Sequence, residues 1–386
     1  MQPFYLWLFY IGLKKNKIFI TLSAVLTIIV LIFLFYVIGI FYFFFYTKNE
    51  NINELVKKNF YIFDKYTPII HHLRNVQEIK KQDELLFDIY NEAGNKTILF
   101  QGDSWFEQAF SYKNFNENFL KKNQNLKYIN AGTASYSPSL MMLQLNILIN
   151  DFKIFPDMIV AYIDQTDIYD EVCRYRFRKQ YSNNLLISVS EEITLSKPFW
   201  ISSSREIHKV RLNKEYNSII SKSHHNLVYE IERALERIKN QIEINFFNKK
   251  KKELIKNCKK KGYYQFSADE IDYFEKELEN YLNFIISKNI KKILLVTHFH
   301  KDYWERIKNN EINDIYISDV VDKILNKYQV IKHLNFSKII TNEEIELLKN
   351  DSSWLRDKLH LSENLHTNYF MKKIDDQVNK LYNLQK

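Results

Sequence analysis

The order of apolar and polar positions divides the chain into zones. Residues 18–46 contain no charged side chain. About 20 apolar residues are enough for a helix to cross a bilayer, so this run predicts one membrane-spanning helix. Residues 49–90 carry a helical polar–apolar pattern interrupted at Pro68 and predict a stalk or packing collar. From Lys96 onward, short apolar runs alternate with longer amphipathic stretches. The runs ending at Gly102, and at 127–131, 158–163, 292–297 and 330–334, read as strands; Pro156 breaks the chain just before the third of them. The stretches 105–120, 138–150, 268–287 and 370–382 read as helices. Strands alternating with helices predict an α/β domain, a parallel sheet with helices on both faces. The segment 175–290 is long, charged and mostly helical in pattern. Within it Leu227, Ile231, Ala234, Leu235 and Ile238 have the spacing of an amphipathic helix. It predicts an insertion or cap over the carboxyl edge of the sheet. The expected organisation is a tail (1–17), a span (18–46), a stalk (47–95) and the α/β domain (96–386).

Polar residues with chemical potential sit where the apolar runs stop. In open α/β sheets, binding and catalytic groups lie outside the carboxyl ends of the strands. The first run, Ile98-Leu99-Phe100, leads into Gly102-Asp103-Ser104, and glycine is scarce, with six in 386 residues. A serine hydroxyl needs a base, and the base needs a third group to fix its tautomer. Asp357 and His360, three residues apart near the end of the chain, can reach one site from a single loop. Asp351 competes with Asp357 for that role and His366 with His360; the Asp-x-x-His spacing favours the named pair, and His366 is expected to pack beneath the loop.

Serine early and Asp-x-x-His late is the order in which the GDSL/SGNH hydrolase family carries its triad, and the sequence resembles that family. Two intermediate segments add to the resemblance. Asn130-Ala131-Gly132 looks like the second block, in which a glycine N–H helps form the oxyanion hole. Asp164-Gln165-Thr166-Asp167 stands where the family usually has Gly-x-Asn-Asp. Here Asp164 replaces the glycine, and Thr166 replaces the asparagine whose amide normally donates to the oxyanion. The resemblance implies a three-layer α/β/α sandwich with a flavodoxin-like parallel sheet. It implies catalysis by Ser104, Asp357 and His360. The oxyanion hole would comprise Ser104, Gly132 and either Thr166 or Gln165. Asp164, Asp167, His298 and His300 are candidates for the substrate rim. His298-Phe-His300 at a strand end has the look of a metal-binding pair, but spacing nominates no third ligand, and no metal or other cofactor is expected.

Charge and cysteine content bear on location and partners. Lys14, Lys15 and Lys17 flank the amino end of the uncharged run, whereas Lys48 and Glu50 nearly cancel at the other. The positive-inside bias predicts a cytoplasmic amino terminus and an extracytoplasmic α/β domain. A cleaved signal peptide fits poorly, because the run is too long and has no small-x-small site near its end. The net charge of +9 invites a nucleic-acid reading, but a domain across the membrane meets little nucleic acid, and none is expected as a partner. Anionic lipid headgroups or acidic glycans are the electrostatic partners open to such a domain. The lysine runs 249–252 and 259–261 could dock an anionic polymer, but a solvated basic face is the reading preferred for the excess charge and for both runs. Cys173 and Cys258 are the only cysteines, and an extracytoplasmic location permits a disulfide. The expected activity is that of a serine ester hydrolase acting on O-acyl, above all O-acetyl, groups of a cell-envelope glycan. A glycan O-acetyltransferase, a membrane lipid esterase or lysophospholipase, and a non-catalytic envelope scaffold are the alternatives. The substrate partner is then an acylated glycan or a lipid ester, and oligomeric state stays open.

Overall fold

The computed structural model describes residues 82–110, 125–183, 185–189, 262–311 and 314–382, with isolated positions elsewhere. The chain forms two units, Met1–Phe60 and Tyr61–Lys386. In the first, only Leu26, Thr27, Ile28, Val30, Leu31 and Leu34 are described, all helical. The expected tail, nearly all of the expected span, the amphipathic helix 226–247 and both lysine runs lie outside the described residues. Among the described residues, no helix is long and apolar enough to cross a membrane.

The second unit is built on a six-stranded sheet. Its strands are β1 (Asp88–Tyr90), β2 (Lys96–Gln101), β3 (Leu126–Asn130), β4 (Met158–Tyr162), β7 (Lys292–Thr297) and β8 (Ile331–Asn335), in the order β1-β3-β2-β4-β7-β8. β5 (Lys179–Ser182) and β6 (Leu185–Val189) form a separate antiparallel pair. β1 runs antiparallel to β3, and every other pairing in the large sheet is parallel. The five parallel strands, numbered among themselves, follow the flavodoxin-like order 2-1-3-4-5, whose switch point lies between its first and third strands. Here those are β2 and β4.

Central parallel strands are covered on both faces and therefore read as nearly continuous apolar runs. All five residues of β4 (MIVAY) are buried. Alternate residues feed two separate cores. Leu99, Ile129, Ile159, Ala161, Ile293 and Leu295 belong to one; Ile98, Phe100, Tyr128, Val160, Leu294 and Val296 belong to the other. Two cores either side of one sheet make a three-layer α/β/α arrangement.

Among the described residues, the α-helices of five residues or more are α1 (Ser104–Ala109), α2 (Pro138–Asn150), α3 (Gln165–Tyr169), α4 (Ala268–Ser287), α5 (Tyr303–Lys308), α6 (Ile317–Leu325), α7 (Asn342–Lys349), α8 (Ser352–Arg356) and α9 (Lys372–Leu381). Pro138 opens α2 at a position where its missing N–H costs nothing. A capping box between Ser267 and Glu270 starts α4. Two short π-helices, Asp170–Tyr175 after α3 and His366–Met371 before α9, continue those helices with a wider turn.

Three expectations need correction. The sheet begins before Lys96, because β1 pairs with β3, and Tyr66, Ile70 and Leu85–Phe87 are buried in the core. These residues of the expected stalk are part of the α/β unit. The expected insertion is not helical at its start: β5 and β6 form a hairpin around Asn183, whose positive φ of 49° suits the turn. Ser182-Asn183-Asn184 is a turn signal in the sequence, but the flanking strands do not alternate between buried and exposed residues, so no period-2 pattern marks them. Of the helix expected over 105–120, the described part is α1, which stops at Ala109.

Candidate active site

β2 ends at the switch point, and the geometry there demands glycine. Gly102 has φ +153°, and a Cβ on it would lie 2.8 Å from the Tyr162 carbonyl oxygen at the end of β4. A second close approach occurs at Gly132, where a Cβ would lie 2.5 Å from the Glu107 nitrogen. That glycine lets the loop after β3 press onto the first turns of α1. Between them Asp103 caps α1 by accepting the Trp105 N–H at 2.9 Å, which fixes Ser104 in the first turn.

Ser104 meets the far end of the chain. Its Oγ lies 2.7 Å from His360 Nε2, and His360 Nδ1 lies 3.0 Å from Asp357 Oδ2. The loop that brings Asp357 to His360 is held by its own backbone. Asp357 Oδ1 accepts the N–H groups of Leu359 and His360, each at 2.9 Å, and Lys358 adopts a left-handed φ of 63°. Partial burial opposes the Asp357 charge, but these N–H groups and the imidazole hold its carboxyl below the usual carboxylate range. Asp351, the competing acid, does other work. It caps α8 through the Ser353 N–H and accepts the Ser362 N–H at 2.7 Å, clamping the loop beyond the histidine. His366, the competing base, is fully buried beneath the loop. Its ring lies 5.7 Å from that of Trp105, and burial pushes its imidazole down to about 3.

The expected oxyanion donors are mostly committed elsewhere. The Gly132 N–H donates to Asn130 Oδ1 at 2.9 Å. The Thr166 hydroxyl donates to Asp164 Oδ2 at 2.6 Å. Gln165 ties three strands of chain together: its amide donates to the carbonyls of Tyr263 and Ile315, and its Oε1 accepts the Ile317 N–H. The backbone N–H of Ser104, in the first turn of its helix, has no acceptor among the described residues. Sequence did not single out the side chain of Asn130, which accepts that Gly132 N–H. It is fully buried, and its Nδ2 has no acceptor among the described residues.

The four residues expected at a substrate rim are buried, each at most 2% exposed. Asp164 and His300 form an ion pair, with His300 Nε2 2.9 Å from Asp164 Oδ1. Burial disfavours both charges, yet each partner outweighs it, so the Asp164 carboxyl is held low and the His300 imidazole high. Asp103 and Asp167 crowd the same spot. Burial first, and then the neighbouring carboxylate charges, push both well above the usual carboxylate range. Asp167 also accepts the Asp164 N–H, completing a capping box for α3. Asp170, one turn on, is pushed up to about 7, chiefly by burial.

His298 lies in an aromatic cluster instead, 4.9 Å from Trp105 and 4.2 Å from Phe299 between ring centroids, and burial lowers it to about 3. Alternation along β7 held the signal for this: Leu294 and Val296 face the same core, and His298 continues their register. Trp105, which sequence did not single out, is the floor of the site. It packs on Tyr162, His298 and Phe370, with the His360 ring 6.3 Å away.

Cys173, in the π-helix after α3, forms a disulfide with Cys258. The bond ties the insertion to the element that carries Asp170.

A scan of protein-family models finds no match, and no curated protein matches. Among solved structures, an acetylxylan esterase from Geobacillus stearothermophilus is similar at 11% identity and a TM-score of 0.34, over 73% of this chain and 94% of that chain. A mutant described as an acetyl-xylooligosaccharide esterase, from the same genus, aligns over the same shares at 12% identity and a TM-score of 0.35.

Proposed function

We propose that the chain is a serine esterase of GDSL/SGNH type that removes O-acyl groups, above all O-acetyl groups, from a cell-envelope glycan. The observation that carries this reading is the continuous hydrogen-bonded path from Ser104 through His360 to Asp357. In the reacting tautomer, Nδ1–H of His360 donates to Asp357 and Nε2 accepts the Ser104 hydroxyl proton. As that proton leaves, the Ser104 oxygen forms a bond to the ester carbonyl carbon. The imidazolium then protonates the departing alcohol oxygen, leaving an acyl group on Ser104. Water attacks this acyl-enzyme, gives its proton to His360, and releases the carboxylic acid and the free serine. The Ser104 N–H is the donor best placed to stabilise the oxyanion. Each such donor is worth on the order of 2.7–4 kcal/mol of transition-state stabilisation, so the commitment of Gly132, Thr166 and Gln165 lowers the rate expected on simple esters.

The envelope setting is supported by the uncharged run 18–46 with its flanking Lys14, Lys15 and Lys17, which favours an anchored chain with an extracytoplasmic domain. The Cys173–Cys258 disulfide suits an oxidising compartment. The test compares the full-length chain with Ser104→Ala on 4-nitrophenyl acetate and butyrate. Turnover or a burst that disappears in the variant is expected, with acetate preferred. Equal rates in both proteins, together with no fluorophosphonate adduct at Ser104, would refute the serine mechanism.

A further inference from the structure

The amino ends of the parallel strands carry a pocket unrelated to the serine site. It encloses about 540 Å³ and is lined by Lys96, Lys288, Lys291 and Lys292, with Asp157 as its single acid. Lys96 begins β2, Lys292 begins β7, and Asp157 precedes β4, so three strand entries converge there. Asp157 offsets part of the charge. Its Oδ1 lies 3.6 Å from Lys96 Nζ, and its Oδ2 accepts the Thr97 N–H. Among the described residues, no carboxylate pairs with Lys288, Lys291 or Lys292. The Lys292 ammonium sits 3.9 Å from the centre of the Tyr382 ring, and the Lys288 ammonium 4.8 Å from that of Phe284. Their positive charge is therefore held on aromatic faces rather than neutralised.

The same pocket is edged by an apolar side chain that the fold leaves uncovered. Phe155 is 65% exposed, directly before Pro156. A pocket made only for a small free anion has no use for an exposed phenyl ring. Uncompensated lysines beside an aromatic ring that can enter the acyl boundary fit the surface of an anionic bilayer. A bilayer-length uncharged run on the same chain, residues 18–46, is an independent sign of such a surface.

We propose that this lysine pocket, with Phe155, docks the α/β unit onto anionic phospholipid headgroups. The consequence is one of orientation. A six-residue strand such as β2 spans roughly 20 Å, so docking through its amino end holds Ser104 at about that distance from the headgroups. The site then faces away from the lipid and toward a polymer outside it. The docking itself does not depend on the chemistry at Ser104.

The test uses the full-length chain with a bimane label at Phe155→Cys, and separately at Leu355→Cys, which is exposed at the carboxyl end beside Asp357. Vesicles of phosphatidylcholine, with or without phosphatidylglycerol, carry a spin-labelled headgroup as quencher. Position 155 should be quenched on the anionic vesicles and position 355 should not. Lys288→Glu/Lys291→Glu, two exposed positions, should keep the circular dichroism and melting profile while losing the preference for anionic lipid. Each lysine near such a surface is worth roughly fivefold in partitioning. Equal quenching on both lipids, quenching at position 355, or none at either position would overturn the proposal. A response at position 155 to inorganic phosphate alone, equal to that on anionic vesicles, would make the pocket a small-anion site and overturn it as well.

Discussion

Two turns meet at the carboxyl edge of the sheet and solve opposite problems. The Asp357–His360 loop is partly open to solvent; its acid side chain is 48% exposed and its base 18% exposed. It is organised by its own backbone, with two N–H groups on one carboxylate oxygen and Lys358 left-handed. The Asp164–Asp167 turn is buried, and its polar groups answer one another: His300, Thr166 and Tyr162 all contact Asp164. The first turn leaves its imidazole free to exchange a proton with Ser104. The second has its charge neutralised within the protein. Of two polar clusters a short way apart, the exposed one is suited to turnover and the buried one to holding shape.

The largest expected effect breaks the first turn. Asp357→Asn keeps the loop but offers the wrong partner to His360 Nδ1, and kcat on an acetyl ester should fall roughly ten-thousandfold. The melting temperature should hardly change, because the side chain is half exposed. Breaking the second turn should do the reverse. Asp164→Ala strands the buried His300 without its partner and should cost roughly 3–5 kcal/mol in a urea titration. The remaining active fraction should still form a fluorophosphonate adduct at Ser104. If Asp164→Ala were as stable as the parent chain, the contrast between the turns would collapse.

Proton linkage sharpens the same contrast. His300 is raised when folded, so its contribution is full below its unfolded value and fades as pH climbs through the folded one. Asp164 is lowered when folded, so its contribution is present above its unfolded value and fades as pH falls through the folded one. The pair therefore stabilises best between these limits. Asp170 has the opposite sign for an acid. Its folded value of about 7 lies above the unfolded one, so it favours folding at low pH and loses that contribution as pH rises through about 7. Asp170→Asn should flatten that decline, which thermal melts at pH 5 to 8 would read directly. The smallest effect concerns the loop backbone. Lys358→Gly removes the left-handed penalty at φ 63° and should stabilise by less than about 1 kcal/mol without altering activity. A loss of activity would mean that the Lys358 side chain itself touches substrate.

Local sequence determined much of this protein. Apolar runs bounded by Gly102, Pro156 and charged turns specified the parallel strands and their order of appearance. Pro138 and the Ser267/Glu270 box marked helix starts, and the Asp-x-x-His spacing brought Asp357 to His360, because each of these depends on neighbours only a few residues away. Tertiary structure alone decided which polar groups remained available. Gln165 is consumed by the carbonyls of Tyr263 and Ile315, some 98 and 150 residues away, and Asp164 by His300, 136 residues away. The strand-entry lysines converge on one pocket only because β2 and β7 both pair with β4. A buried donor or acceptor must find a partner wherever the fold supplies one, and that partner is fixed by packing across the sheet, not by spacing along the chain.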